Sequence, residues 1–269
     1  MIKNIMKLKE IFHSEKMRNL LKHNGLSSFE LIWKIEGQFI EEPNYERGGW
    51  SGIVFHETRI QDGRQLRIII KRQENHTFRS LLHPLRGTPT FFREYRNICR
   101  LEKKGIPTLE PLYYGERQIN GNLQAVLVVR FLNGYRSLDD LLMEAGKNEK
   151  FEFKSALDPV AEMTAKIHSF RFQHNCLYGK HIFVKTEKNG PAKVRLIDLE
   201  KMHLGLSRFS VAVHDLGALF RHASWPGDSW NLFLQSYLNK AGLQSNEKKL
   251  YKALEKKLKR KEKSRKQYL

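Results

Sequence analysis

The sequence contains, in order, a glycine-rich segment, a lysine and two carboxylates whose types and spacing suit phosphoryl transfer. The glycine-rich segment, NYERGGWSG, carries Gly48, Gly49 and Gly52. Lys71 ends an apolar run, Glu94 lies in the helical segment that follows, and Asp198 ends a later apolar run. In phosphoryl transfer a lysine and backbone N–H groups hold the phosphates, a helix carboxylate orients the lysine, and another carboxylate binds Mg²⁺. Each feature alone is common in structural roles, so the inference rests on their combination in this order.

The elements that must position these residues are predicted from hydrophobic periodicity and turn residues. Strands are expected at Ile53–His56, Leu66–Ile70, Leu112–Tyr114, Gln124–Phe131, His181–Val184 and Val194–Ile197, with turns at Asp62-Gly63, Asn120-Gly121 and Asn189-Gly190. Helices are expected at 1–24, from Thr90 to Gly105, from Ser137 to Glu144, from Pro159 to Phe170, and over 247–266. The pattern predicts an α+β chain with a β-rich first half and a helix-rich second half, divided near Asn133.

The net charge of +19 is concentrated at the two ends of the 269-residue chain. Residues 247–269 carry a net charge of +8 and residues 1–24 carry +4. Such an excess favours polyanionic partners, namely an anionic membrane, a phosphorylated substrate or nucleic acid. The sequence has no zinc-finger, helix-turn-helix or RNA-recognition pattern, so no nucleic acid is expected as a partner.

Several classes of protein are excluded by simple counts. The chain has two cysteines, Cys99 and Cys176, which argues against a disulfide framework and for a reducing compartment. It contains no run of about 18 to 20 apolar residues that could span a bilayer. Lysine and glutamate interrupt the N-terminal segment, which therefore lacks the apolar core of a signal peptide. A cytoplasmic location is expected.

The basic C-terminal segment is predicted to form an amphipathic helix with a narrow apolar stripe. Leu250, Leu254 and Leu258 recur at every fourth residue. The segment is either a solvated terminal helix or a helix that lies on an anionic membrane surface. For residues 1–24 the alternatives are a helix docked on the domain and a basic surface-binding helix.

Four blocks of sequence, in order, carry a resemblance to a known family. They are EEPNYERGGWSG (Glu41–Gly52), HPLRGTPTFFREY (His83–Tyr95), HNCLYGKHIFVKT (His174–Thr186) and RLIDLEKMH (Arg195–His203). These blocks resemble the lipopolysaccharide kinase (Kdo/WaaP) family, in its InaA-type branch, over about residues 38 to 235. The resemblance implies a protein-kinase-like bilobal fold, with a β-rich N-lobe at 38–132 and a helical C-lobe at 133–246. A basic helical extension at 1–37 and a basic tail at 247–269 would flank the two lobes.

The resemblance also implies roles for individual residues, with ATP and Mg²⁺ as cofactors. The residues implied to contact the nucleotide are Gly48, Gly49 and Gly52 of the glycine-rich loop, Lys71 with its partner Glu94, and Val129 and Phe131 in a hinge at Val128–Leu132. Asp198 would bind the metal. Asp215 would be a buried aspartate that anchors the catalytic loop.

The catalytic loop departs from the kinase pattern. Where kinases have His-x-Asp and then a metal-binding Asn, this chain has His174-Asn175-Cys176 and then His181. A general base typically contributes about 10²–10⁴-fold, and a thiol of ordinary pKa is little ionised at neutral pH. Phosphoryl transfer depends mainly on positioning and electrostatics, so it does not strictly need that base. His174, Cys176, His181 and Lys71 are the catalytic candidates, with His181 either a metal ligand or a hydrogen-bonding group of the loop.

Three hypotheses therefore follow from the sequence. The first is a kinase that phosphorylates a sugar hydroxyl of the lipopolysaccharide core or a related anionic glycolipid, with peripheral contact to the cytoplasmic face of the inner membrane through the basic termini. The second is a pseudokinase that binds nucleotide or lipid and acts in regulation. The third is a polyanion binder that works through its tails.

Overall fold

A computed structural model describes residues 7–46, 48–59, 65–80, 83–148, 151, 153–187 and 190–266. The chain divides into two compact units. The N-unit comprises Met1–Cys99 with Leu109–Leu132, and the C-unit comprises Arg100–Thr108 with Asn133–Leu269. The turn predicted at Asp62-Gly63, the first six residues, Asn189 and residues 267–269 lie outside the described residues.

The N-unit is built on a five-stranded antiparallel sheet. Its strands are β1 (Lys7–Phe12), β2 (Trp50–Arg59), β3 (Gln65–Glu74), β6 (Pro111–Ile119) and β7 (Asn122–Arg130), in the order β1-β6-β7-β3-β2. Strands β4 (Thr77–Ser80) and β5 (His83–Pro89) form a separate antiparallel pair. The turn between β6 and β7 has positive φ at Asn120 and Gly121, at 50° and 82°. That backbone suits the right-handed twist of a tight hairpin, and Asn-Gly is its preferred sequence.

Three helices complete the N-unit elements: α1 (Glu15–His23), α2 (Phe29–Trp33) and α3, which begins at Thr90 and extends to Glu102. The side chains of Ser14 and Ser28 cap α1 and α2 by accepting backbone N–H groups of the first turn. Both helices contribute to the core on one face of the sheet. That core cluster consists of Met17, Leu21, Leu26, Phe29, Ile32, Leu66, Ile68, Ile70, Leu112, Tyr113, Val126 and Val128.

The helix predicted over residues 1–24 is wrong for Lys7–Phe12, which form β1 at the edge of the sheet. Strand β1 pairs with β6 along its whole length. The Glu10 carboxylate accepts hydrogen bonds from the backbone N–H of Phe29 and the hydroxyl of Tyr113, at 2.7 and 2.8 Å. Pairing and these contacts outweigh the helical spacing of the local apolar residues, as tertiary context commonly does. The segment is therefore an edge strand of the N-unit sheet rather than a helical extension.

The C-unit combines five helices with short strands. Its elements are β8 (Arg136–Ser137), α4 (Leu138–Lys147), α5 (Lys154–Ser169), β9 (Phe172–Gln173), β10 (Ile182–Glu187), β11 (Gly190–Leu196), β12 (His203–Leu204), α6 (Arg208–His222), α7 (Ser229–Ala241) and α8 (Glu247–Lys266). The strands pair in the orders β11-β10-β8 and β12-β9. Helix α5 begins at Lys154, so Pro159 lies inside it and does not open it as predicted. A proline there forgoes one backbone hydrogen bond, and α5 packs closely on α7.

Helix α8 docks on α6 through the apolar stripe seen in the sequence. Leu250 and Leu254 are buried. The aliphatic stem of Lys257 lies against Gly217 of α6, where a Cβ atom would come within 3.1 Å of it. The apolar face of the first half of α8 is thus used inside the C-unit. Within the part of the chain that the structure describes, no helix is both long enough and apolar enough to cross a bilayer.

Replacing Leu250 by alanine is expected to lower the free energy of unfolding by about 2–5 kcal/mol, because it removes a buried side chain and leaves a cavity. Chemical denaturation of the full chain measures this loss. Lys256, exposed on the same helix, is the matched control, and Lys256→Ala should change the free energy by no more than about 0.5 kcal/mol. Equal effects of the two substitutions would show that α8 is not docked.

Candidate functional site

Lys71 and Glu94 form a buried ion pair in the N-unit. Lys71 lies inside β3, which continues to Glu74, and it pairs across the sheet with Ile53 of β2 and Leu127 of β7. Its Nζ donates to both oxygens of Glu94, at 2.7 and 2.8 Å. The two side chains are only 12% and 2% exposed. The pairing expected from the sequence is therefore present, although Lys71 does not end its strand as predicted.

A glutamine that the sequence analysis missed positions this pair. Gln73 lies two residues after Lys71 in β3, so the two side chains share a face of the sheet. Its Oε1 accepts hydrogen bonds from the Thr90 hydroxyl and the Phe91 backbone N–H, both at 2.9 Å. These bonds hold the first turn of α3, and Glu94 follows one turn later. The sequence signal that could have indicated Gln73 is its place two residues after Lys71, as a polar residue on a buried strand.

The glycine-rich segment is the tip of a hairpin. Phe39, which precedes the segment, bridges to Val54 of β2, and Asn44 at the start of the segment bridges to Ser51 near its end. Gly49 packs on the backbone of Glu74, and a side chain there would collide with the carbonyl oxygen. Gly52 lies under the Phe39 ring in the same way. Close packing thus explains both glycines.

Gly48, in contrast, has a φ of 78° and an open surrounding. Its requirement is conformational, because L side chains rarely adopt that backbone geometry. Of the three glycines, it is the one with positive φ and open space around it. The phosphate contact itself remains a prediction.

The two hinge residues occupy different surroundings. Val129 is enclosed in the sheet between Ile69 of β3 and Pro111 of β6. Phe131 donates its backbone N–H to the Arg67 carbonyl, at 3.0 Å. Its partly exposed ring packs edge-to-face on Phe55, with 5.2 Å between ring centroids. The sequence predicts an adenine contact for both residues. The exposed ring of Phe131 is accessible for such a contact, whereas the side chain of Val129 is enclosed.

In the C-unit, the buried Asp215 of α6 holds the predicted catalytic loop, as expected from the sequence. Its carboxylate accepts the backbone N–H groups of His174 and Asn175, at 2.6 and 3.1 Å. Burial alone would raise its pKa, but hydrogen bonds from His168, His214 and the His174 backbone outweigh burial and hold the pKa well below its ordinary value. Asp215 is therefore a carboxylate that fixes the loop backbone.

His174 links the loop to the strand that leads to Asp198. Its ring is fully buried, and Nε2 donates to the carbonyl oxygen of Ile197, at 3.0 Å. Burial lowers its pKa, so the imidazole is neutral at pH 7. This geometry favours a positioning role for His174 over the catalytic role predicted from the sequence.

His181 and Asp198 face each other beside the loop. The Nδ1–H of His181 donates to the carbonyl oxygen of Cys176, at 2.8 Å, which leaves a lone pair on Nε2. That Nε2 lies 3.4 Å from Oδ2 of Asp198. Burial lowers the pKa of His181 even though the charge of Asp198 opposes this effect. A neutral imidazole lone pair that faces a carboxylate is an arrangement suited to a cation.

Asp198 also has an unusual backbone conformation, with a φ of 55°. A non-glycine residue in this left-handed region is uncommon and is often found at functional sites. The backbone conformation of Asp198 and its position opposite His181 are consistent with the metal-binding role predicted for Asp198. His181 lies at the same site.

Cys176 is buried beside Tyr178, a residue that the sequence analysis did not single out. Burial raises the pKa of Tyr178, the neighbouring Cys176 raises it further, and the charge of Arg221 opposes the increase. The Tyr178 ring lies between the rings of His181 and His222, with centroid distances of 5.4 and 4.4 Å. Tyr178 beside Cys176 is thus a protonated phenol that can donate a hydrogen bond.

Three comparisons with known proteins show the family and the fold of the chain. Residues 30–237 match the model of the lipopolysaccharide kinase (Kdo/WaaP) family. Protein InaA of Escherichia coli (strain K12) is 36% identical over 197 residues, which cover 72% of this chain and 87% of that protein. The structure of WaaP in complex with acyl carrier protein is similar, with a TM-score of 0.64 and 20% identity over 94% of this chain and 98% of that one. The α+β, protein-kinase-like fold expected from the sequence is thereby confirmed.

Replacing Lys71 by methionine is expected to lower the free energy of unfolding by about 3–5 kcal/mol, because it removes the cation that contacts both oxygens of the buried Glu94. The exposed pair Arg130–Glu110, with an N–O distance of 2.6 Å, provides the control. Arg130→Met should cost less than about 1 kcal/mol, as exposed ion pairs do. Urea titrations of both variants test this difference, and losses of the same size would contradict it.

Proposed function

Because the chain belongs to the Kdo/WaaP lipopolysaccharide kinase family, we propose that it transfers the γ-phosphoryl group of ATP to a sugar hydroxyl of the lipopolysaccharide core or a related envelope glycolipid. The observation that carries this proposal is the bidentate pair of Lys71 and Glu94. A buried ion pair is weak evidence for stability, since apolar residues of similar volume often stabilise as well or better. Its presence fits instead the need for a lysine held ready to bind phosphates.

Asp198 and His181 are the residues that would hold Mg²⁺. They offer a carboxylate oxygen and an imidazole Nε2 whose ring is oriented by the hydrogen bond to the Cys176 carbonyl. Mg²⁺ prefers oxygen ligands and completes its shell with water and phosphate oxygens, so Asp198 would be the direct ligand and His181 would accept a hydrogen bond from a metal-bound water. When bound, the metal neutralises negative charge on the phosphates.

The catalytic loop receives the acceptor in this proposal. Asp215 fixes the loop backbone, and His174 ties it to Ile197. Cys176 stands where a carboxylate base is usual, and Tyr178 beside it keeps its proton at neutral pH, so it can donate a hydrogen bond but cannot act as a base. Positioning and electrostatics therefore supply most of the rate enhancement in this site.

A pseudokinase is the second candidate, and the buried thiol of Cys176 is the observation that favours it. A protein of this kind would bind Mg-ATP without transferring phosphate. The distinction lies in turnover, because both candidates predict that the nucleotide stabilises the fold.

We place the protein in the cytoplasm, where ATP is available, with the basic termini as contacts to an anionic lipid surface. Exposed Lys248, Lys252, Lys256 and Arg260 recur every fourth residue of α8 and share one face of the helix. Each cation near such a surface contributes about 1 kcal/mol. Since Leu250 and Leu254 are buried in the C-unit, contact by this part of α8 is electrostatic and does not involve insertion. The same cationic face would account for the third hypothesis, a general polyanion binder.

Lys71→Met and Asp198→Asn are each expected to reduce acceptor-dependent ATP consumption by at least about 10²-fold, because the first removes a cation that contacts the phosphates and the second removes the carboxylate that would bind Mg²⁺. The assay measures ADP formed from Mg-ATP with isolated lipopolysaccharide core as acceptor. Lys193→Met and Asp158→Asn, at ion-paired residues on the surface, are the controls and should leave the rate unchanged. Unaltered turnover in either site variant would overturn the mechanism.

Cys176→Asp is expected to raise the rate of transfer, by about 10²–10⁴-fold if the natural chain lacks only its base. Cys176→Ser, which supplies no carboxylate, is the matched control and should leave the rate unchanged. A wild-type chain that Mg-ATP stabilises in a thermal-shift assay but that forms no ADP, together with a gain in Cys176→Asp, identifies the pseudokinase. Loss of transfer in Cys176→Ser would show that the thiol itself takes part.

A further inference from the structure

The segment that follows Asp198 exposes two leucines that neither the fold nor the proposed reaction uses. Leu204 and Leu206 are 58% and 92% exposed. They flank Gly205, between β12 and the start of α6. A single exposed leucine is ordinary on a protein surface, whereas clustered apolar side chains mark a contact surface.

A third apolar side chain belongs to the same surface. Strand β12 pairs with β9 so that Leu204 lies opposite Phe172, and the Gly205 N–H donates to the Arg171 carbonyl at 2.8 Å. The ring of Phe170 packs 6.1 Å from that of Phe172 and is itself 36% exposed. Phe170, Leu204 and Leu206 are called the leucine patch below.

Cations surround the leucine patch. The guanidinium of Arg171 donates to the Leu206 carbonyl at 3.4 Å. The ammonium of Lys104 lies 5.1 Å from the centre of the Phe170 ring. Lys201 and Arg208, both exposed, bracket the two leucines along the chain. Between residues 199 and 208 the sequence contains a single acidic residue, the half-buried Glu200.

We propose that the leucine patch is a membrane-contact surface that seats the C-unit on an anionic lipid bilayer. Leu204 and Leu206 enter the headgroup region, while Lys104, Arg171, Lys201 and Arg208 meet lipid phosphates. Apolar side chains within a cationic rim match the two layers of such a surface, the apolar boundary below and the anionic headgroups above.

The charge pattern separates a bilayer from other occupants. A second copy of the chain docked about a twofold axis would bring the same four cations against this patch, and like charges at an interface are costly. Nucleic acid would satisfy the cations but offers no apolar phase for the leucines. The surface also differs from the cationic face of α8, which carries no free apolar side chains in its first half.

This contact goes beyond the proposed reaction and does not depend on it. One consequence rests on the proposed function. The seated segment begins within a few residues of Asp198, so membrane contact would hold the proposed metal site close to the lipid surface, where a glycolipid lies. Binding is therefore tested without nucleotide, and a failure of phosphoryl transfer leaves the result unaffected.

The first experiment measures sedimentation of the full chain with vesicles of phosphatidylcholine alone or with about one third phosphatidylglycerol. Leu204→Gln with Leu206→Gln is expected to reduce binding to the anionic vesicles at least about tenfold, since the leucines no longer enter the apolar boundary. Leu31→Gln with Leu232→Gln, at leucines that are partly exposed elsewhere, is the matched control and should bind as the wild type does. Lys104→Gln with Arg208→Gln should weaken binding about fivefold for each cation removed.

The second experiment reports insertion directly and does not rely on loss of binding. Tryptophan fluorescence of Leu206→Trp is expected to shift to shorter wavelength when anionic vesicles are added, whereas Leu232→Trp should show no shift. Absence of a shift while the protein sediments with the vesicles overturns the proposal.

Two further outcomes also overturn it. One is binding that survives the double leucine change but is lost in Lys248→Gln, Lys252→Gln, Lys256→Gln, which would assign contact to α8 alone. The other is a change of oligomeric state on analytical ultracentrifugation of the double leucine variant, which would show that the patch covers a second copy.

Discussion

The buried carboxylate of Asp215 is the constraint on which the C-unit depends. An ionised carboxylate without solvent contact must be satisfied by donors, because the penalty for an uncompensated buried charge is several kcal/mol. The donors here are the successive backbone N–H groups of His174 and Asn175, the imidazole of His214 at 3.1 Å, and the imidazole of His168 from α5 at 3.4 Å. His168 in turn contacts the Tyr237 hydroxyl of α7, at 2.9 Å. A single charge therefore joins three helices to one loop.

The consequences of that anchor spread through backbone geometry. With the loop held at His174, the imidazole of this residue reaches the Ile197 carbonyl, next to Asp198. The Cys176 carbonyl then orients the His181 ring so that Nε2 faces Asp198. The same helix that carries Asp215 supports α8 and follows the exposed leucine segment. The loop backbone at His174, the facing pair of His181 and Asp198, and the exposed leucine segment are thus all linked to one helix.

In the N-unit, strand β3 positions the buried ion pair of Lys71 and Glu94. Gln73 and Lys71 share one face of β3, and they hold the start of α3 and Glu94, respectively. The hydrogen bonds of Gln73 fix where α3 begins. The ammonium of Lys71 therefore meets a Glu94 carboxylate that is already in place. Pairing of β3 on both sides keeps the lysine from moving along the strand axis. Preorganisation of this kind lowers the cost of binding a charged ligand.

Local sequence patterns were sufficient to predict much of the fold of this protein. The order of glycine-rich segment, lysine, helix carboxylate and late aspartate indicated the chemistry, and the four sequence blocks indicated the family and the fold. Helix α3, the Asn120-Gly121 hairpin and α8 were also predicted, because turn residues and a long periodic stripe act within a few residues of themselves. Where pairing partners lie far along the chain, the same reasoning failed. Lys7–Phe12 has helical spacing, but its backbone pairs with β6, about a hundred residues away.

Tertiary structure alone decided the functions of several side chains, since those functions depend on contacts between distant residues. It explained Gly49 and Gly52 by close packing, enclosed Val129 in the sheet, and bonded the buried ring of His174 to the Ile197 carbonyl. It also placed Tyr178 beside Cys176 and Gln73 against the first turn of α3, and it left Leu204 and Leu206 exposed to solvent. Residue types and their order along the chain determine which chemistry is available to this protein. Which atoms meet, and which stay exposed, is decided by long-range packing and by the need to satisfy each buried charge.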